Sequence, residues 1–138
     1  MAGNIMLEVV TPEKEVVNEE IQTVVAPGIE GEFGVLVGHT PFMTALKLGS
    51  VRYVDAKGAE RCVFISGGFA EALPNKVTIL AESAERRCDI DVERARSALE
   101  RARKRMEQSK EDIDFMRARA ALERAIQRIK LAESRRSS

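Results

Sequence analysis

The sequence predicts an α+β protein: an N-terminal antiparallel β-sandwich of about ten strands over residues 1–84, then a C-terminal antiparallel two-helix hairpin over residues 85–138. Three observations carry this reading. Glycine and proline, which punctuate turns and break helices, end at Gly68 and Pro74. Short β-branched runs fill the first half, and helical apolar stripes fill the second. Charge divides at the same place, because residues 1–84 hold 6 Lys/Arg against 11 Asp/Glu and residues 85–138 hold 16 against 11. The formal net charge of zero therefore hides an acidic half and a basic half.

In the first half, β-branched runs fall at 5–10, 21–26, 33–37, 51–54, 62–66 and 77–81. Turn signals separate them: Thr11-Pro12, Pro27-Gly28, Gly38-His39, Lys57-Gly58, Gly67-Gly68 and Pro74-Asn75. Short strands at this spacing, with no helical period between them, indicate a sandwich or barrel. Ala56-Lys57-Gly58 reads as the turn of a hairpin.

From Asp89 the period changes. Ala95, Ala98, Leu99, Ala102 and Met106 fall on one stripe of a helix that Asp89 or Asp91 can cap. Gln108-Ser109-Lys110 interrupts the stripe, and Ser109 or Asp112 is placed to cap a second helix in which Ala118, Ala121, Leu122, Ala125, Ile129 and Ala132 repeat the pattern. A link this short makes the helices antiparallel neighbours. Alanine seams allow close approach, yet each contact buries less than the roughly 1.5–3 kcal/mol of a large apolar side chain, so the hairpin is expected to be weakly held.

At about 100° per residue, Arg94, Arg101 and Arg105 occupy one narrow arc beside the first stripe, and Arg117, Arg124 and Arg128 do the same on the second helix. In an antiparallel pair these flanks meet on one side of the seam. The arrangement predicts an arginine groove, with no acid expected in its rows, suited to bidentate capture of an anion with several oxygens. The competing reading is a solvated charged face. Glu85, Asp89 and Asp91 at the hinge end are positioned either to balance the groove and accept hydrogen bonds from a base or ribose, or to cap the helix.

Other chemistry is sparse. Cys62 and Cys88 lack a metal or redox spacing and are expected to be reduced thiols. His39, the only histidine, has no nucleophile arranged with it and is read as a turn or surface-contact residue. With no paired catalytic carboxylates and no metal-ligand spacing, the chain is expected to be a non-enzyme that requires no cofactor or metal. No apolar run approaches the roughly 18 residues of a membrane span, and no leader pattern opens the chain. A nucleic-acid-binding hairpin is an alternative from the basic tail, but 11 interleaved acids and Phe115 as the one aromatic there argue against it. A sandwich that binds a small molecule has no convergent polar cluster in the first half to support it.

The segment Gly31-Glu32-Phe33-Gly34-Val35-Leu36-Val37-Gly38-His39-Thr40-Pro41, with Leu48-Gly49, Ser66-Gly67-Gly68-Phe69 and Lys76-Val77-Thr78-Ile79-Leu80-Ala81, closely resembles the epsilon subunit of bacterial F-type ATP synthases. The resemblance runs nearly the whole length. It implies a non-catalytic rotor subunit of the central stalk, peripheral on the cytoplasmic face of the cell membrane, that supports proton-driven ATP synthesis. By similarity the sandwich contacts the gamma subunit, with His39 facing gamma and the loop around Glu32 facing the c-ring. Ile90-Asp91-Val92-Glu93-Arg94-Ala95 matches the motif of the family's ATP-binding members. Matching position by position implies an ATP site of Glu85, Ile90, Asp91, Arg94, Ala95, Arg101, Arg124 and Arg128. ATP is then expected as a regulatory ligand. It would hold the hairpin folded, and ATP scarcity would release the helices to dock on the alpha/beta catalytic hexamer and inhibit hydrolysis. A stalk subunit without ATP sensing is the alternative within the family.

Overall fold

The computed structural model describes residues 3–134 and divides them into two compact units, one ending at Arg87 and one spanning Cys88–Ser134. In the first unit nine strands are described: β1 (Ile5–Val10), β2 (Glu15–Gly28), β3 (Gly31–Val35), β4 (Phe42–Leu46), β5 (Gly49–Asp55), β6 (Glu60–Ile65), β7 (Gly68–Leu73), β8 (Lys76–Ala81) and β9 (Ala84–Arg86). The neighbour order is β1-β8-β7-β4-β2-β5-β6-β9, with β3 on β2 and a further β1–β2 pairing. The sandwich is as expected, with two differences. Nine strands stand where about ten were expected, and β1 runs parallel to β8, Leu7 beside Val77 and Val9 beside Ile79.

Alternation builds the core. Ile5, Leu7 and Val9 face inward from β1, Val77 and Ile79 from β8, and Val51 and Tyr53 from β5. The long β2 serves both layers, pairing with β1 through its first half and with β3 and β5 through its second. A register shift between Ile21 and Thr23 changes which residues of β2 face inward, from Val17 and Ile21 to Val24 and Ala26. β9 adds three residues to the sheet, Arg86 opposite Val63 and Ala84 opposite Ile65, so the sheet continues beyond residue 84, where the composition boundary falls.

The β5–β6 turn is fastened by one carboxylate. Asp55 accepts hydrogen bonds from Lys57 N and Ala59 N, each at 2.9 Å, and from Arg61 Nε at 3.0 Å. These bonds, led by that from Ala59 and then by that from Arg61, hold the Asp55 carboxyl below the usual carboxylate value. Gly58 takes φ 88° in the turn, a backbone state that glycine reaches without strain.

The second unit is a short 3₁₀ turn at Arg87–Asp89 followed by α1 (Val92–Gln108) and α2 (Asp112–Glu133). Asp91 caps α1, its Oδ1 accepting from Arg94 N at 3.1 Å. The expected cap of α2 is absent. Glu111 holds the cap position without a side-chain bond, while Ser109 closes α1 and its hydroxyl donates to Glu111 O at 2.9 Å. Ser109 therefore serves the link between the helices, and Asp112 is already the first residue of α2. The seam buries Ala95 and Ala102 of α1 and Ala118 and Ala125 of α2. Arg96 Nη2 meets Glu133 Oε1 at 2.8 Å, joining the start of α1 to the end of α2 as an antiparallel pair requires.

Candidate functional site

The helices carry many arginines, and their partners sort them. Arg96 pairs with Glu133 and Glu93, and Arg103 pairs with Glu100. Arg94, Arg101, Arg105, Arg117 and Arg124 form no ion pair among the described residues. Three of these, Arg105, Arg117 and Arg124, line an open groove of about 690 Å³ with Gln108, Ser109, Asp114, Ala118, Ala120 and Ala121. The wall is not purely basic as expected, because Asp114 contributes one carboxylate. Three cations against one anion still leave a cationic groove with amide and hydroxyl groups beside it, the chemistry that binds phosphate or carboxylate oxygens.

Of the residues matched to the nucleotide motif, Arg124 alone lines this groove. Arg94 and Arg101 are exposed on α1, and Arg124 and Arg128 are half-buried on α2. Ile90 and Ala95 are buried, and Asp91 is occupied as the α1 cap. Glu85 lies on β9 in the sandwich unit, opposite Phe64, while the other seven belong to the helical unit. Gln108 and Ser109 were not singled out as ligands from sequence. Gln108 is the last residue of α1 and Ser109 its C-cap, and this place at the helix end is what brings them to the groove.

The sandwich presents a second surface. Register places Val10 beside Leu80, Leu80 beside Phe69, and Phe69 beside Ala45, one apolar row across four strands. Phe69 and Leu80 are 59% and 57% exposed, and Met43, on the same strand as Ala45, is 70% exposed. A contiguous apolar row exposed at its centre marks an interaction surface more than a scatter of single residues does. His39 Nδ1 donates to Thr40 O at 2.7 Å, and its ring lies 5.1 Å from that of Phe42, which packs on the core side of β4. Glu32 is the second residue of β3, the return strand of the β2–β3 hairpin, whose turn exposes Ile29. No group of three or more His, Cys, Asp or Glu able to hold a metal occurs among the described residues.

The matches follow this division. Residues 4–87 match the beta-sandwich domain of the ATP synthase Delta/Epsilon chain, and residues 89–133 match its long alpha-helix domain. The chain belongs to the ATP synthase epsilon chain family. An ATP synthase epsilon chain from Desulfatibacillum aliphaticivorans is 70% identical over 136 residues, covering 99% of this chain and 96% of that relative. One from Desulforapulum autotrophicum is 66% identical over 108 residues, covering 78% and 80%. Among solved structures, a chain of the Euglena gracilis mitochondrial ATP synthase, OSCP/F1/c-ring, aligns with a TM-score of 0.78 at 28% identity, covering 90% of this chain and 78% of that one. A chain of the Tetrahymena thermophila enzyme aligns at 0.58 with 14% identity over 95% and 98%, a likeness of fold alone. The two matched domains correspond to the sandwich unit and the helical unit of this chain.

Proposed function

We propose that this epsilon chain is a rotor subunit of the central stalk of a bacterial F-type ATP synthase, non-catalytic itself, peripheral on the cytoplasmic face of the membrane. The observation that carries the stalk role is the apolar row Val10–Leu80–Phe69–Ala45, exposed at Leu80 and Phe69, which gives the sandwich a docking face for the gamma subunit; His39 faces gamma by family similarity. The β2–β3 hairpin, with exposed Ile29 and Glu32, meets the c-ring. Rotation driven by protons then passes through this chain to gamma. Copurification of gamma with Phe69→Glu and Leu80→Glu variants tests the docking face; undiminished recovery of gamma overturns it.

The same proposal gives the hairpin a regulatory role. ATP phosphates engage the unpaired arginines between α1 and α2, with Arg124 central, and so stabilise the two helices side by side. Glu85, Ile90, Asp91, Arg94, Ala95, Arg101 and Arg128 complete the site by family similarity. When ATP is scarce the helices separate, dock on the alpha/beta hexamer and inhibit hydrolysis. The ligand shifts this balance only by its different affinity for the two arrangements. Calorimetric titration of the full chain with ATP, with ADP and GTP as controls, is expected to show saturable ATP binding that Arg124→Ala abolishes. No binding at millimolar ATP would reduce the hairpin to a docking element.

A further inference from the structure

Strand register turns an unusual set of side chains toward the interior at one mouth of the sandwich. Residues paired directly across a ladder share a face. Glu19 is paired with Leu7, Arg61 with Tyr53, and Arg86 with Val63, and all three partners are core residues. The inner face therefore receives a carboxylate, a phenol and two guanidiniums where the core would continue with apolar groups. Arg61 is committed to Asp55 at 3.0 Å. Arg86 reaches across from β9, its Nε donating to Val16 O of β2 at 3.1 Å.

Tyr53 as a whole is 2% exposed. Burial raises its phenol to about 12, Glu19 adds to the effect, and Arg86 and Arg61 oppose it, so these side chains are close neighbours in the mouth.

The strand that this mouth supports is the last one before the helical unit. β9 has three residues, lies at the end of the strand order and has one ladder partner, β6. A strand so short, paired on one side, is poorly held by its ladder alone. We propose that Arg86 is an inward clasp that fastens β9 to β2 through its Nε bond to Val16 O, in a mouth it shares with Glu19 and Tyr53. Arg86 is then the last fixed residue of the sandwich, and any rearrangement of the helices pivots in residues 87–91. Arg86 acts as a positioning residue. The clasp operates without nucleotide and stands apart from the ATP reading.

Residue-level amide exchange on the full chain without ligand tests it. In Arg86→Ala, the amides of residues 84–86 are expected to exchange about tenfold faster, the loss of one net hydrogen bond, with the β5–β6 hairpin unchanged. Arg86→Lys, which keeps the charge and one donor, is expected to fall between and serves if the alanine variant does not fold. Unchanged exchange at residues 84–86 in Arg86→Ala overturns the clasp.

Discussion

Arg52 straddles the carboxylate of Glu32, its Nη2 standing 3.1 Å from Oε1 and 3.0 Å from Oε2. Arg52 lies on β5 opposite Val25, and Glu32 on β3 opposite Pro27, so the pair bridges over β2 and sets the direction of the hairpin's acid. Both side chains are substantially exposed, at 32% and 57%, and an ion pair in water contributes little to stability. Arg52→Ala is expected to lower the unfolding free energy by less than about 1 kcal/mol, measured by urea titration. Recovery with c-ring-containing membranes is expected to fall by more than so small a stability loss explains. Equal recovery would assign the pair to the sandwich alone.

The carboxyl of Asp55 is held below its ordinary value of 3.8 by the two turn amides and Arg61. A carboxyl lowered in the folded state contributes stability that is complete above the unfolded value and lost as pH falls through the folded one. Asp55→Asn is therefore expected to unfold at lower urea than the parent at pH 7. The gap is expected to close in acid, below the usual carboxylate range. A gap independent of pH would mean that shape, and not charge, fastens this turn.

Tyr53 is the single tyrosine of the chain, so phenolate absorbance reports it without interference. Its ionisation in the folded protein is expected near pH 12, against 10.0 for an exposed phenol. The raised value means that stability is complete below about pH 10 and declines as pH rises toward 12. Glu19→Gln removes the second of the raising causes and is expected to bring the midpoint down. A midpoint at the exposed value in the parent would show Tyr53 to be accessible.

Asp91 has two claims on one side chain, the α1 cap and the nucleotide motif. Asp91→Ala is expected to cost about 0.5–2 kcal/mol through the cap, read by thermal unfolding of helical circular dichroism. Asp91→Ser keeps a capping oxygen and removes the charge. Restored helicity with weakened ATP binding is the expected result, and full ATP binding in Asp91→Ser would leave Asp91 a cap only.

Gly68 opens β7 at φ 143°, and a Cβ there would drive into the backbone of Leu80 and Ala81. Gly68→Ala is expected to cost more than about 2 kcal/mol, since backbone atoms of a paired strand cannot yield as a side-chain tip does. Urea unfolding checks it.

What the sequence made legible follows the residue types. Runs rich in Val and Ile appeared as strands because β-branching and alternation coincide there, as in β1 and β8. β4 (FMTAL) and β7 (GFAEAL) were passed over, because Ala, Met and Leu favour helices in isolation; pairing with each other, and the burial of Ala70 and Ala72, decides them. β9 has too few residues for any period and exists through β6. Asp91 was readable as a cap since an acid just before an apolar stripe is a local signal, whereas the uncapped start of α2 has none. Arg105, Arg117 and Arg124 were found by helical phase, but Asp114 in their wall depends on how the two helices meet, which phase on each helix does not give.

The parallel seat of β1 sets an order on synthesis. β1 leaves the ribosome ahead of β2 and finds it within a few residues, yet its other neighbour, β8, emerges only after β3 to β7. Until then the nascent chain carries Leu7 and Val9 in a hairpin that cannot close its layer, with one edge open to other chains. By the time residues 76–81 supply that edge, nearly the entire sandwich has been translated, so docking onto a stalk partner has to wait for a chain that is almost finished.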